Sequence, residues 1–189
     1  MSTLIDSYSE ANADTNQILD NVTPFYYTAK GQSFTSGIVA TLDNVEFYVK
    51  KVGSPTGNAY AKIYAHSGTY GSNSKGTGTA LAISDAVAAS TISTSFSLVP
   101  FVFSGGERIT LVADYYVVVL SYTSGDASNY LSLSSDNSSP EHSGNYAFLS
   151  DGSWGSGTVD MAGFYVYGTP IPSTVQGIST LTGVSSITL

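Results

Sequence analysis

Side chains able to activate a nucleophile are scarce in this sequence: there are two histidines, His66 and His142, and no cysteine among 189 residues. A Ser-His-Asp arrangement would need one of those imidazoles beside a strained nucleophile turn. Neither position offers one, since His66 closes an alternating segment before Ser67 and Gly68, and His142 sits in the polar run "DNSSPEHSGN". The chain also lacks a G-x-S-x-G elbow, a phosphate-cradling G-x-x-x-x-G-K, an H-E-x-x-H pair and a G-x-G-x-x-G after a strand. Glu10, Glu46, Glu107 and Glu141 form no recognisable pair of the kind that hydrolyses a glycosidic bond. The expectation is a protein that is not an enzyme.

Two constellations suited to binding remain. Tyr48, Tyr60 and Tyr64 occupy the polar parity of two alternating segments, with His66 on the same parity and Trp154 in "DGSWGSG". Flat rings beside amide and hydroxyl groups take sugar faces through C–H contacts and hydrogen bonds, which makes these five residues the glycan-binding candidates. Lys62 is the only base among Tyr60, Tyr64 and His66, so the glycan would be neutral. The competing reading is a tyrosine-rich face covered by a second sheet or a neighbouring subunit. The other constellation lies in "SGDASNYLSLSSDNSSPEHSGN", where Asp126, Asn129, Asp136, Asn137 and Glu141 are hard oxygen ligands of the kind calcium takes, in no EF-hand spacing. A structural calcium on Asp126, Asp136 and Glu141 is the candidate metal, against solvated loop polars as the alternative. No other cofactor is implied.

The elements that must carry these side chains are strands, because the dominant period along the chain is two. Val45, Phe47 and Val49 alternate with Glu46, Tyr48 and Lys50, and Ala59, Ala61, Ile63 and Ala65 alternate with Tyr60, Lys62, Tyr64 and His66. Each segment reads as a strand with one wet face. Gly53, Pro55 and Gly57 between them give the composition of a turn, so the two are expected to pair as an antiparallel hairpin. "DYYVVVLSY" is apolar on both faces from Tyr115 to Leu120, the mark of a central strand covered on either side. "FSLVPFVFS" belongs at an edge or at a bulge, because Pro100 cannot donate to a ladder. Shorter strands are expected at 29–34, 108–112, 130–133, 146–149 and 164–167. "ALAISDAVAAS" is the only helical suspect, and its Ser/Thr-rich flanks favour an extended chain. Eight or more strands with frequent turn signals predict an all-β fold, a two-sheet jelly-roll β-sandwich over residues 1–168, followed by a short extended C-terminal arm over 169–189.

Composition narrows the partners. Charged residues make up 11% of the chain, against about 25% in average globular domains, so Ser, Thr, Asn, Gly and the hydroxyls of 14 tyrosines must form the surface. That surface suits an extracellular or virion protein better than a cytosolic enzyme. A net charge of -8 with six Lys and Arg argues against binding a phosphate backbone, and therefore against nucleic acid. Without cysteine the fold must hold without disulfides. The opening "MSTLIDSYSEANAD" has neither the basic start nor the apolar run of a secretory signal, and no stretch is apolar for long enough to insert as a membrane-spanning helix.

"GQSF" at 31–34, "VEFYVKKVGSPTGNAYAKIYAHSGTYG" at 45–71, "YYVVVLSYTSGDASNYLSL" at 115–133, "DNSSPEHSGN" at 136–145 and the closing "FYVYG" at 164–168 resemble the jelly-roll family of choice-of-anchor R domains. The resemblance covers residues 4–168. It implies a sandwich akin to carbohydrate-binding modules, used on surfaces and in tailed-phage virions, and it supplies no catalytic motif.

The last residues, "VQGISTLTGVSSITL", fall into sixes and place Val175, Ile178, Leu181, Val184, Ile187 and Leu189 at every third or so position in a stretch without charge. Repeats of this kind build a solenoid only when three or more turns stack, which fifteen residues cannot do. Three copies wound together, or one copy laid along a partner, would hide the apolar row. The reading is therefore a virion structural protein of a tailed phage, displayed on the capsid surface as head decoration or head fibre. Its arm would make a homo-oligomer or a contact with capsid or other virion proteins. The alternative is a carbohydrate-binding module of a secreted or cell-surface protein, which would bind a cell-surface glycan in an adhesive role; a bare spacer domain is a third.

Overall fold

Apolar and polar residues alternate along most of the chain, and the computed structural model, which describes residues 1–22, 25–138 and 141–172, turns that alternation into sixteen strands among the described residues. In chain order these are β1 (Thr3–Tyr8), β2 (Thr15–Leu19), β3 (Asn21–Val22), β4 (Phe25–Ser36), β5 (Ala40–Val52), β6 (Asn58–Ser67), β7 (Lys75–Ile83) and β8 (Val87–Ala88). They continue with β9 (Ser97–Val102), β10 (Thr110–Leu111), β11 (Asp114–Ser121), β12 (Tyr130–Asp136), β13 (Tyr146–Ser150), β14 (Ser153–Gly157), β15 (Met161–Ala162) and β16 (Phe164–Pro170). Helix is limited there to three 3-10 turns, one of which, Ala89–Thr91, begins in the last two residues of the segment that could have been helical. That segment is extended in β7 and β8, as its flanks imply.

The strands form two antiparallel sheets packed as a sandwich. Sheet I holds β1, β2, β5, β9, β10, β12, β15 and β16, and sheet II holds the other eight. β5 is the long spine of sheet I. Its alternation is read directly into burial, with Val45, Phe47 and Val49 fully buried and Glu46, Tyr48 and Lys50 half-exposed. Pro100 faces Glu46 on β9, and β9 pairs with β5 alone, so the proline sits on an edge where no ladder bond is missed. β11 is central in sheet II, between β4 and β6. Its Tyr116, Val118 and Leu120 join the core between the sheets, whereas Val117 and Val119 are buried on the outer face in a second, smaller cluster with Ala29, Tyr64 and Ala147.

One pairing differs from the sequence expectation. β5 and β6 are not a hairpin: β5 pairs with strands of sheet I, and β6 pairs with β7, β8 and β11 in sheet II. The turn-like "VGSPTGN" carries the chain across the sandwich. Gly53 and Gly57 take positive φ of 67° and 75°, and a Cβ on Gly53 would lie 2.2 Å from the Ser128 carbonyl oxygen, so this crossing needs glycine there. Composition marks a reversal without saying which sheet receives the next strand. The last strand also runs to Pro170, two residues beyond the boundary drawn at 168, and pairs there with Thr41 and Ala40. Val175, Ile178, Leu181, Val184, Ile187 and Leu189 of the expected arm lie outside the described residues.

Candidate binding sites

The crossing of the 53–57 loop divides the five glycan candidates. Tyr48 is on the outer face of sheet I, and Tyr60, Tyr64 and His66 are on the outer face of sheet II, so they form no single platform. The second group is divided again by Trp154. The β13–β14 hairpin lays its indole against Tyr64, with ring centroids 4.9 Å apart and planes at 75°. Tyr64 is buried there, and burial raises its phenol above the usual range. A Cβ on Gly76 of β7 would lie 2.3 Å from the Trp154 ring, which places the indole directly over that backbone. Tyr64 is therefore part of the small outer core of sheet II, and the half-exposed Trp154 packs against it. This corrects the reading of Tyr64 as a sugar contact in favour of the covered-face alternative. Tyr60 stays half-exposed at the other end of β6, opposite Ser121.

His66 belongs to a separate ring cluster with Tyr70 and Tyr115. The two tyrosines stack at 4.2 Å and 18°, and Tyr115 is exposed. The imidazole Nε2 lies 3.0 Å from the Ser74 hydroxyl, which is buried and also donates to the Thr69 carbonyl. Burial lowers the His66 pKa, opposed by Asp114. The buried His142 accepts the Gly144 N–H at Nδ1, leaving Nε2 to donate to Asp6 at 3.2 Å. The Asp6 carboxylate in turn accepts the Thr35 and Ser7 amides, so this pair ties β1 to β4 and to the loop before β13.

Tyr48 has different company. Its ring stacks on Phe96 at 5.4 Å and 23°, and the Lys50 ammonium lies 4.7 Å from the other ring's centre. The pair lines a recess of about 320 Å3 with Glu10, Ala13, Asp14, Thr15, Asn16 and Ser134. The Ser134 hydroxyl is buried with no hydrogen-bond partner. Phe96 and Ser134 were not singled out from sequence. Ser134 was nonetheless readable as the outward parity of β12, between the core residues Leu131 and Leu133 and the strand end.

The calcium set is also taken apart. Asp126 and Asp136 flank opposite ends of β12. Asp126 accepts the Ser128 and Asn129 amides and the Asn129 side chain, and these bonds hold its carboxyl below the usual range. Asp136 is buried and accepts from the Tyr8 hydroxyl and from Ser138. It shares a recess of about 340 Å3 with Glu141, Tyr8, Asn12 and Ser138, while the Asn137 amide donates to Asp14. Among the described residues no three His, Cys, Asp or Glu side chains converge as a metal site. The grouping of Asp126 with Asp136 and Glu141 fails because a strand stands between them.

Comparison with protein-family models, with curated proteins and with solved structures returned no match.

Proposed function

We propose that the chain is a non-enzymatic virion structural protein of a tailed phage, a β-sandwich displayed on the capsid surface as head decoration or head fibre and attached through its C-terminal side. The observation that supports attachment is the apolar surface at the point where the chain leaves the sandwich. β16 ends at Pro170, and the Ile171 amide donates to the Val39 carbonyl at 2.9 Å. Around that exit Ile38, Val39, Val112 and Ile171 are all exposed, beside a recess of about 370 Å3 that Gly37, Ala113 and Pro170 complete. Apolar groups gathered at one end of a polar body mark an interaction surface. The sequence beyond it is uncharged and regularly apolar. Removing residues 174–189 should leave the melting temperature nearly unchanged while self-association, read by light scattering, and capsid binding are lost. A full-length chain that is monomeric and binds no capsid would remove this reading.

A second reading, a carbohydrate-binding module of a secreted or cell-surface protein, is favoured by the Tyr48–Phe96 stack and the unspent Ser134 hydroxyl beside it. Loss of a glycan-array signal on Tyr48→Ala supports it, and an unchanged signal places any glycan elsewhere.

A further inference from the structure

Where the edge of sheet I meets β4 and β13 of sheet II, the sandwich is not filled with apolar side chains. Lys30 lies there on the inner face of β4, in the same parity as Phe34, and only 5% of it is exposed. Its ammonium sits 3.9 Å from the centre of the Tyr27 ring and hydrogen-bonds Gln17 Oε1 at 3.4 Å, and it forms no ion pair among the described residues. An ammonium has three protons to donate. Gln17 Nε2 donates to Asp160 at 3.0 Å. Tyr146, 4% exposed, brings a hydroxyl that has no hydrogen-bond partner. These groups line one recess of about 280 Å3 with Phe148 and Gly157, and the Tyr27 and Phe148 rings meet edge to face at 5.6 Å to form its apolar wall.

We propose that this recess binds one neutral sugar residue, with the Lys30 ammonium, the Asp160 carboxylate and the Tyr146 hydroxyl on the sugar hydroxyls and the Tyr27 and Phe148 rings on its C–H faces. Three features carry the choice of ligand. A buried hydroxyl without a partner costs stability in the free protein, and a ligand hydroxyl supplies what it lacks. Donor and acceptor stand together, as neighbouring hydroxyls require. The recess disfavours anions, because two carboxylates, Asp20 and Asp160, stand against its one ammonium. Burial lowers the Lys30 pKa to about 8, so the amine still carries its proton near neutral pH. The size suits a single ring, at the lower end of small-molecule pockets. The site is separate from the exit face and from the Tyr48–Phe96 recess, and it requires neither to be functional.

The test titrates the full chain with glucose, galactose, mannose and N-acetylglucosamine, and with glucuronate as the anionic probe, following backbone amide shifts by NMR. A neutral sugar should shift the amides of Gln17, Lys30, Tyr146 and Phe148, and glucuronate should bind more weakly. Tyr146→Phe, which removes only the unpartnered hydroxyl, should fold normally and bind about fivefold more weakly. Lys30→Met should abolish binding while keeping the amide spectrum dispersed. Absence of shifts with all four sugars, shifts centred on Tyr48 and Phe96, tighter binding of glucuronate, or undiminished affinity in Tyr146→Phe would each overturn the proposal.

Discussion

The Tyr64–Trp154 pair and the Lys30–Tyr146 recess both use side chains of sheet II, and they are opposites. In the first, two rings cover Val117 and Val119, and the backbone beneath is pared to glycine at Gly76 so that the indole can lie down. In the second, a cation and a phenol are buried with too few partners, and space is left beside them. From sequence the first looked like a binding face, because aromatic residues stood on the polar parity of a strand. The difference teaches that aromatic parity does not separate a ligand platform from a core, since a hairpin folded over the face converts one into the other. Buried polar groups without partners are the better marker of a site, because packing alone gives no reason for them.

Four substitutions and one condition sharpen the contrast. Trp154→Ala should cost about 2 to 3 kcal/mol in urea unfolding, because the half-exposed indole packs on Tyr64 and over Gly76; a loss below about 1 kcal/mol would return Trp154 to the exposed platforms. Gly76→Ala should cost about 1 to 3 kcal/mol by the same measurement, because the new methyl meets the indole. The recess should respond to pH. Lys30 has its pKa lowered from 10.5 to about 8, so below pH 8 both states hold the proton and the folded one bears the cost of burying it. Between those values the unfolded chain keeps a proton that the folded chain has released, and stability rises with pH. A gain of about 2 kcal/mol from about pH 7.5 to about 9.5 is expected in urea titrations. Lys30→Met, which leaves Asp20, Asp160, Tyr27 and Tyr146 in place, should flatten that rise. The smallest effect belongs to Tyr48→Ala, at about 1 kcal/mol or less, since only one half-exposed stack with Phe96 is lost.

Much of the fold was legible. The two-sided apolar run became the buried centre of sheet II from Tyr116 to Leu120, with Tyr115 at its start exposed, the alternation at Val45–Val49 became the buried face of β5, and Pro100 went to an edge strand. These features are local, so period and turn chemistry suffice to read them. Pairing across the 53–57 loop was not legible, because the same glycines permit a hairpin or a crossing and the choice is made by which core accepts the next strand. The sites were legible least. Lys30 and Gln32 share the parity of Phe34 in "AKGQSF", and two polar residues on a core face were a signal of something polar inside the sandwich. Asp160 and Tyr146 reach Lys30 only through the fold, from segments more than a hundred residues away. The separation of Asp126 from Asp136 likewise depends on β12 forming between them.

The most direct measurement is the unfolding free energy of Tyr146→Phe against the unaltered chain, taken in urea without any ligand. If the recess is held open around a hydroxyl that the fold does not satisfy, the variant should be as stable or more stable, by up to about 1 to 3 kcal/mol. A loss of more than about 1 kcal/mol would show that the hydroxyl is already bonded within the protein, and the recess would then be part of the structure and not a site.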